Sequence, residues 1–179
     1  MNRYSTDSLK VLFNACFDSD PEIAEEARHL SKFFIEFQLI NMEPGQKSQF
    51  SSELSENDDF RCKYGELNLY GGEFSKADVE VFVRNLLQEF MDRPTERKWL
   101  AAVLKRASPV AGVEEEIANF IMKHWSEDEL VTDSALSIIW DLSVLSGLKD
   151  TLLEIRSLAK NTQLKDHADQ RLDILSQLG

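Results

Sequence analysis

The pair most suited to metal chemistry in this sequence is Glu26 and His29, which have the Glu-x-x-His spacing. Ferritin-like di-iron sites use that spacing twice and add two further inward-facing glutamates. Neither His124 nor His167 has a glutamate three residues before it. A second pair is therefore missing, and we expect Glu26 and His29 to lie on a solvated helix face with no metal bound.

Three aspartates near the end of the sequence, Asp166, Asp169 and Asp173, repeat at the spacing of one helix face. Carboxylates arranged in this way can hold a cation or act as a general acid and base. Lys165 and Arg171 lie among them in the sequence. We interpret the aspartates as the polar exterior of a terminal helix, with a protein contact as the alternative.

Motifs for other kinds of catalysis are missing from the sequence. Neither cysteine lies in a zinc-type Cys-His cluster, and Gly71-Gly72 is not followed by the Gly-Lys-Ser/Thr of a phosphate-binding loop. A Gly-x-Ser-x-Gly nucleophile motif is also missing. We therefore expect a protein that is not an enzyme and needs no cofactor, and its function has to be sought on its surface.

The apolar periodicity predicts an all-α protein of about eight helices joined mostly by short turns. Helix-start signals support this interpretation: Asp20-Pro21 before the second helix, and Ser75 with Asp78 in a capping box before the third. Only seven glycines and four prolines occur in 179 residues. A β-sandwich of this length needs more turn residues.

One segment interrupts the helical pattern. Residues 42–59 are polar and lack apolar periodicity, and residues 60–74 are rich in aromatic side chains, with Leu67 and Leu69 alternating before Gly71-Gly72. We predict an irregular insertion over residues 42–74, between the second and third helices, which contains a short extended segment.

The last third of the chain is predicted as three helices, at residues 133–146, 149–160 and 164–178. The first is apolar nearly all round, which is typical of a central helix. The other two resemble one antiparallel pair of a HEAT-type repeat, with Asp166, Ala168, Arg171 and Leu172 at typical places. The predicted fold is a single domain, residues 1–179, built as an irregular HEAT-like antiparallel helical array.

The tryptophans and cysteines indicate which positions belong to the core, and the cysteines also indicate the redox state of the compartment. Trp99, Trp125 and Trp140 have the spacing of apolar helix faces and are predicted core residues, with Trp125 half exposed at a helix end. Cys16 is a predicted core residue, and two isolated cysteines favour a reducing compartment.

The first residues lack the apolar stretch of a signal peptide, and no run reaches the roughly 18 apolar residues of a membrane span. We expect a cytoplasmic protein.

The chain carries a formal net charge of −12. That charge disfavours binding to nucleic acid and to anionic membranes, and it suits a cationic protein partner. Charge is also clustered: residues 42–60 carry −4, residues 113–133 carry −6 and residues 92–106 carry +3. Two alternatives remain open, because net charge can serve solubility alone and carboxylates such as Glu114–Glu116 are favoured in the first turn of a helix.

The functional hypothesis for these clusters is a protein-binding surface in which acidic side chains steer the partner and aromatic side chains supply buried contact area. Its predicted partner-binding residues come from both acidic clusters and from the aromatic segment between residues 60 and 74. They are Glu53, Glu56, Asp58, Asp59, Tyr64, Glu66, Tyr70, Glu114, Glu115, Glu127, Asp128 and Glu129.

Small size, strong acidity, a helical array and the lack of a catalytic set together resemble the bacterial immunity proteins of contact-dependent growth inhibition and related polymorphic-toxin systems. The resemblance implies a monomer that forms a tight 1:1 complex with a cognate toxin domain. Such toxins are often cationic nucleases, and a ribonuclease is favoured. The alternatives are a HEAT-like scaffold or adaptor that grips a peptide or helix in a concave groove, and an α-helical enzyme or ligand binder.

Overall fold

The computed structural model describes residues 6–42 and 74–177. These residues form nine α-helices and no strand, so the prediction of an all-α fold with about eight helices is confirmed. The insertion predicted over residues 42–74, including its extended segment, lies almost entirely outside the described residues. The helices are α1 Thr6–Ala15, α2 Pro21–Met42, α3 Lys76–Asp92, α4 Arg97–Leu104, α5 Val113–His124, α6 Glu129–Leu136, α7 Leu142–Gly147, α8 Lys149–Leu158 and α9 Thr162–Gln177.

The chain divides into two compact units, with the boundary between Asn85 and Leu86 inside α3. The first contains α1, α2 and the start of α3, and the second contains the rest of α3 and all later helices. The single domain and the HEAT-like array over residues 1–179 stay predictions.

In the first unit, the predicted start of α2 is confirmed. The Asp20 carboxylate accepts a hydrogen bond from the Glu22 amide at 2.9 Å, and Pro21 occupies the first helical position. Cys16 is fully buried, as predicted, with its Sγ 3.1 Å from the Ser31 hydroxyl. Burial raises the pKa of the Cys16 thiol, so the residue is a neutral core side chain.

The buried face of α2 begins at Ala24, whereas Ile23 is about half exposed. Ala27 and Phe34 continue that face in the core. Within the first unit, α2 packs against α1.

Phenylalanine rings form the core of the first unit. Phe34 meets both Phe74 and Phe82 edge to face, each with ring centroids 5.3 Å apart, and Phe13 meets Phe82 at 6.3 Å. Phe82 lies on α3, whose start is held by the predicted capping box. The Ser75 amide donates to the Asp78 carboxylate at 3.2 Å, and the Asp78 amide donates to the Ser75 hydroxyl at 3.2 Å.

In the second unit, Arg97 secures the end of α3. Its guanidinium donates to the carbonyl oxygens of Phe90 and Met91, both at 2.9 Å, and it lies over the Phe120 ring at 4.7 Å from the centroid. These bonds satisfy carbonyl groups that have no partner within the helix. Gly112 then precedes α5 with φ of 81°, a left-handed conformation that favours glycine.

The prediction of one helix over residues 133–146 is wrong. α6 ends at Leu136, α7 begins at Leu142, and the chain turns over residues 137–141. Asp141 caps α7 by accepting hydrogen bonds from the Ser143 amide at 2.8 Å and its hydroxyl at 2.6 Å. Capping by a short polar side chain competes with a continuous helix, which is why the apolar pattern alone was misleading.

The last two helices confirm the predicted helical pair. α8 and α9 are joined by residues 159–161, so they run antiparallel, and Arg156 reaches Asp169 across the pair at 3.3 Å. Leu152 and Ile155 of α8 are fully buried, as is Leu164 of α9. This hairpin packs against α6 and α7 within the second unit.

Candidate partner-binding surface

The turn over residues 137–141, between α6 and α7, is held by side chains from two other helices. We refer to it as the Trp140 turn. The carboxylate of Glu114, from the first turn of α5, accepts hydrogen bonds from the backbone amides of Trp140 at 2.9 Å and Asp141 at 2.6 Å. Glu114 is only 9% exposed. A charge-assisted pair of bonds therefore fixes the backbone of the turn from inside the unit.

Arg171, from α9, holds the same turn from another direction. Its side chain is 6% exposed, its Nη2 donates to the Leu136 carbonyl oxygen at 3.3 Å, and its guanidinium lies 5.0 Å from the centroid of the Trp140 ring. The Nε atom is buried and has no hydrogen-bond partner within residues 6–42 and 74–177. Burial lowers the pKa of Arg171, and the negative charge of Glu114 opposes that shift.

The result is a rigidly supported tryptophan on the surface. The prediction that Trp140 is a core residue is wrong, because its side chain is 57% exposed. Leu142 and Ile174 are also exposed apolar residues: Leu142 follows the turn in the chain, and Ile174 lies one helical turn from Arg171. Trp125 is partly exposed, as predicted, and Trp99 is also partly exposed, so it is not the fully buried core residue that its spacing predicts.

The carboxylate beside the tryptophan is ionised at neutral pH. Hydrogen bonds from the hydroxyl and the amide of Ser143 lower the pKa of Asp141. A carboxylate that accepts such bonds is favoured in its charged form. The Trp140 turn thus presents an exposed aromatic ring beside a fixed negative charge.

Three of the predicted partner-binding residues already bind the chain's own backbone. Glu114 caps the Trp140 turn, Asp128 caps α6 by accepting from the amides of Leu130 at 3.0 Å and Val131 at 3.1 Å, and Glu129 binds the connection between α8 and α9. Hydrogen bonds from the amides of Lys160 and Asn161 lower the pKa of Glu129. Part of the −6 cluster is therefore accounted for by helix and loop capping.

The other predicted residues divide into two groups. Glu115 and Glu127 are exposed, and the Glu127 carboxylate lies 2.6 Å from Nδ1 of His124. The remaining seven lie outside the described residues. They are Glu53, Glu56, Asp58, Asp59, Tyr64, Glu66 and Tyr70. Their role in partner binding stays a prediction.

The residues first considered for metal chemistry are exposed or half-buried on α2 and α9. His29 is exposed, with its ring centroid 4.9 Å from that of Phe33, and Asp166, Asp169 and Asp173 are exposed along α9 as predicted. In the parts of the chain that the structure describes, no three His, Cys, Asp or Glu side chains lie together in a way that could hold a metal ion.

Sequence reasoning missed the Trp140 turn, although two features pointed to it. Asp141 followed two residues later by Ser143 is a helix-start signal inside the predicted 133–146 helix. Arg171 lies seven residues after Leu164 and three after Ala168, so it falls on the buried stripe of α9. A charged residue on a buried stripe needs a partner, and Glu114 is the acidic residue whose charge acts on it.

No protein-family model, curated protein or solved structure matches the chain. Among the described helices, none combines the length and apolar character that crossing a membrane requires.

Proposed function

We propose that this protein is a non-catalytic immunity protein that binds and neutralises a cognate cationic toxin domain in the bacterial cytoplasm. The toxin domain is a nuclease, with a ribonuclease favoured, and the complex contains one copy of each protein. The observation that carries the proposal is the Trp140 turn: an exposed tryptophan on a rigid support, beside an ionised carboxylate, in a chain of net charge −12.

The exposed tryptophan supports a binding role. Tryptophan is enriched among the residues that contribute most to protein–protein affinity, since it supplies a large contact area at a small cost in side-chain entropy. The Glu114 and Arg171 contacts fix the turn before any partner arrives. A site fixed in advance loses less free energy to ordering when it binds.

The net charge supports a cationic partner, and a nuclease in particular. Negative charge on one protein attracts a positive partner and accelerates association. A nuclease must present basic side chains to the phosphates of its substrate. An acidic protein surface can occupy the same basic cleft, and the nuclease is then inhibited without any chemistry by the inhibitor.

The proposal is tested by co-expression with the toxic C-terminal domain of a large secreted protein encoded immediately upstream. We expect this chain to restore growth and to co-elute with that domain as a 1:1 complex. A toxin domain from an unrelated system is the specificity control, and it should remain toxic. Persistent toxicity together with separate elution of the two proteins would contradict the proposal.

A further inference from the structure

We propose that Trp140 and Asp141 form a binding site for an arginine side chain of the cationic partner. This inference rests on the proposed function, because it names the chemical group by which that partner is recognised. Arg171 covers one face of the Trp140 ring, yet the side chain is 57% exposed. Arg171 occupies one face of the ring, so the face opposite Arg171 is the one we assign to the partner.

The charges around the ring favour a cation on that opposite face. The positive charge of Arg171 is buried and is offset by the buried carboxylate of Glu114. The Asp141 carboxylate is exposed and is held ionised by Ser143. Trp140 and Asp141 are consecutive and both exposed, so the turn presents an electron-rich ring next to a negative charge in the chain, a combination that attracts a cationic side chain.

Arginine suits this site better than lysine. Its planar guanidinium stacks on an aromatic ring and still presents donors at its edge to a carboxylate. A lysine ammonium is compact and more strongly hydrated, so it loses more solvation when it leaves water for the ring face. The partner residue is therefore an exposed arginine, of the kind that a nuclease uses to hold phosphate groups.

The test measures binding of a deca-arginine peptide and a deca-lysine peptide by calorimetry, at an ionic strength of about 0.15 M so that diffuse attraction is screened. We expect Trp140→Leu to weaken deca-arginine binding about fivefold and deca-lysine binding less. Trp140→Phe should retain most of the affinity, since it keeps an aromatic face. Asp141→Asn should weaken binding about two- to fivefold, because asparagine still caps α7 but lacks the charge.

Two control variants match these changes at other exposed positions. Leu158→Ala removes a large exposed apolar side chain, and Asp173→Asn removes one exposed carboxylate, which matches the charge change of Asp141→Asn. Both should bind deca-arginine as the wild-type protein does. Equal affinity of Trp140→Leu and the wild type would overturn the inference, as would equal losses in Asp141→Asn and Asp173→Asn. If Trp140→Leu does not fold, the two aspartate variants decide the question alone.

Toxin binding and toxin co-expression together separate this inference from the proposed function. If Trp140→Leu and Asp141→Asn bind the toxin domain with the same dissociation constant as the wild-type protein, the arginine site is wrong and the function stands. If the wild-type protein does not protect while the peptide affinities change as expected, the function is wrong and the site stands. The molecular mass in solution is measured for both proteins as well. A dimeric wild-type protein and a monomeric Trp140→Leu variant would show that the turn binds a second copy of this chain, and would also overturn the inference.

Discussion

Two adjacent glutamates at the start of α5 show how far local environment decides the role of a residue. Glu114 and Glu115 have the same charge and the same helix dipole nearby. Glu115 is exposed, whereas the Glu114 carboxylate turns inward and binds two backbone amides of the Trp140 turn. The sequence identified both as surface residues, because charge patterning does not reveal which side of a helix meets a distant turn.

Glu114→Ala should lower the free energy of unfolding by about 2–4 kcal/mol, because it leaves two amides without an acceptor and the buried Arg171 charge without compensation. Glu115→Ala is the matched control, with an expected change within about 0.5 kcal/mol. Urea unfolding of both variants checks the prediction. Equal stability of the two would show that the Trp140 turn does not depend on the buried carboxylate.

His167 makes stability depend on pH. Burial lowers the pKa of His167 from its ordinary value of 6.5, the hydrogen bond with Asp133 at 3.2 Å opposes this, and the charges of Arg171 and Lys105 add to the lowering. The unfolded chain therefore takes up a proton at higher pH than the folded protein does. The free energy of unfolding is then greatest above pH 6.5 and falls as the pH decreases through 6.5 toward the lower folded pKa.

His167→Gln should flatten this part of the stability profile, since glutamine can still bond Asp133 but does not titrate. Denaturant unfolding over the range between about pH 5 and 8 measures the slope. His29→Gln, at an exposed histidine, is the control for losing one imidazole. A profile in His167→Gln as steep as that of the wild-type protein would assign the pH dependence to other groups.

At the scale of elements, capping residues predicted helix ends better than apolar periodicity predicted helix interiors. Asp20-Pro21 and the Ser75–Asp78 capping box each correctly marked the start of a helix, because caps satisfy local backbone amides and need no tertiary information. The 133–146 prediction failed where it ignored such a cap at Asp141. Apolar residues on all sides there reflect a short helix, a turn and a second short helix, not one central rod.

The α8–α9 pair allows a stability test of an element. Leu172→Ala should lower the free energy of unfolding by about 2–5 kcal/mol, because it opens a cavity where α9 packs on its neighbours. Asp173→Ala, at the adjacent exposed position, should change it by less than about 0.5 kcal/mol. A loss below about half a kcal/mol in Leu172→Ala would show that the end of α9 contributes little to the core.

At the scale of the whole molecule, composition and periodicity predicted the all-α class. The sequence has few of the glycines and prolines that β-turns need, and its apolar residues repeat with the period of a helix. Surface charge was harder to interpret. Asp128 and Glu129 belong to the predicted acidic site, yet their carboxylates cap α6 and the connection between α8 and α9. Charge counts along a sequence do not separate capping carboxylates from those that face a partner.

The location of the charge that steers the partner can be tested with two variants of equal net charge. Reversing Glu56, Asp58 and Asp59 to lysine should slow association with the toxin domain and weaken its salt dependence. Reversing the exposed Asp166, Asp169 and Asp173 on α9 changes net charge equally and is the control. Stopped-flow association rates at low ionic strength give the comparison, and equal rates in the two variants would remove the predicted role of residues 56–59.

The most direct test of the account is the dissociation constant of the complex between this chain and the toxin domain encoded upstream, measured by calorimetry at several salt concentrations. We expect a 1:1 complex whose affinity is nanomolar or tighter, on the order of −12 kcal/mol, and falls as salt increases. Binding weaker than micromolar, or affinity that does not change with salt, would contradict recognition of a cationic toxin by this acidic protein.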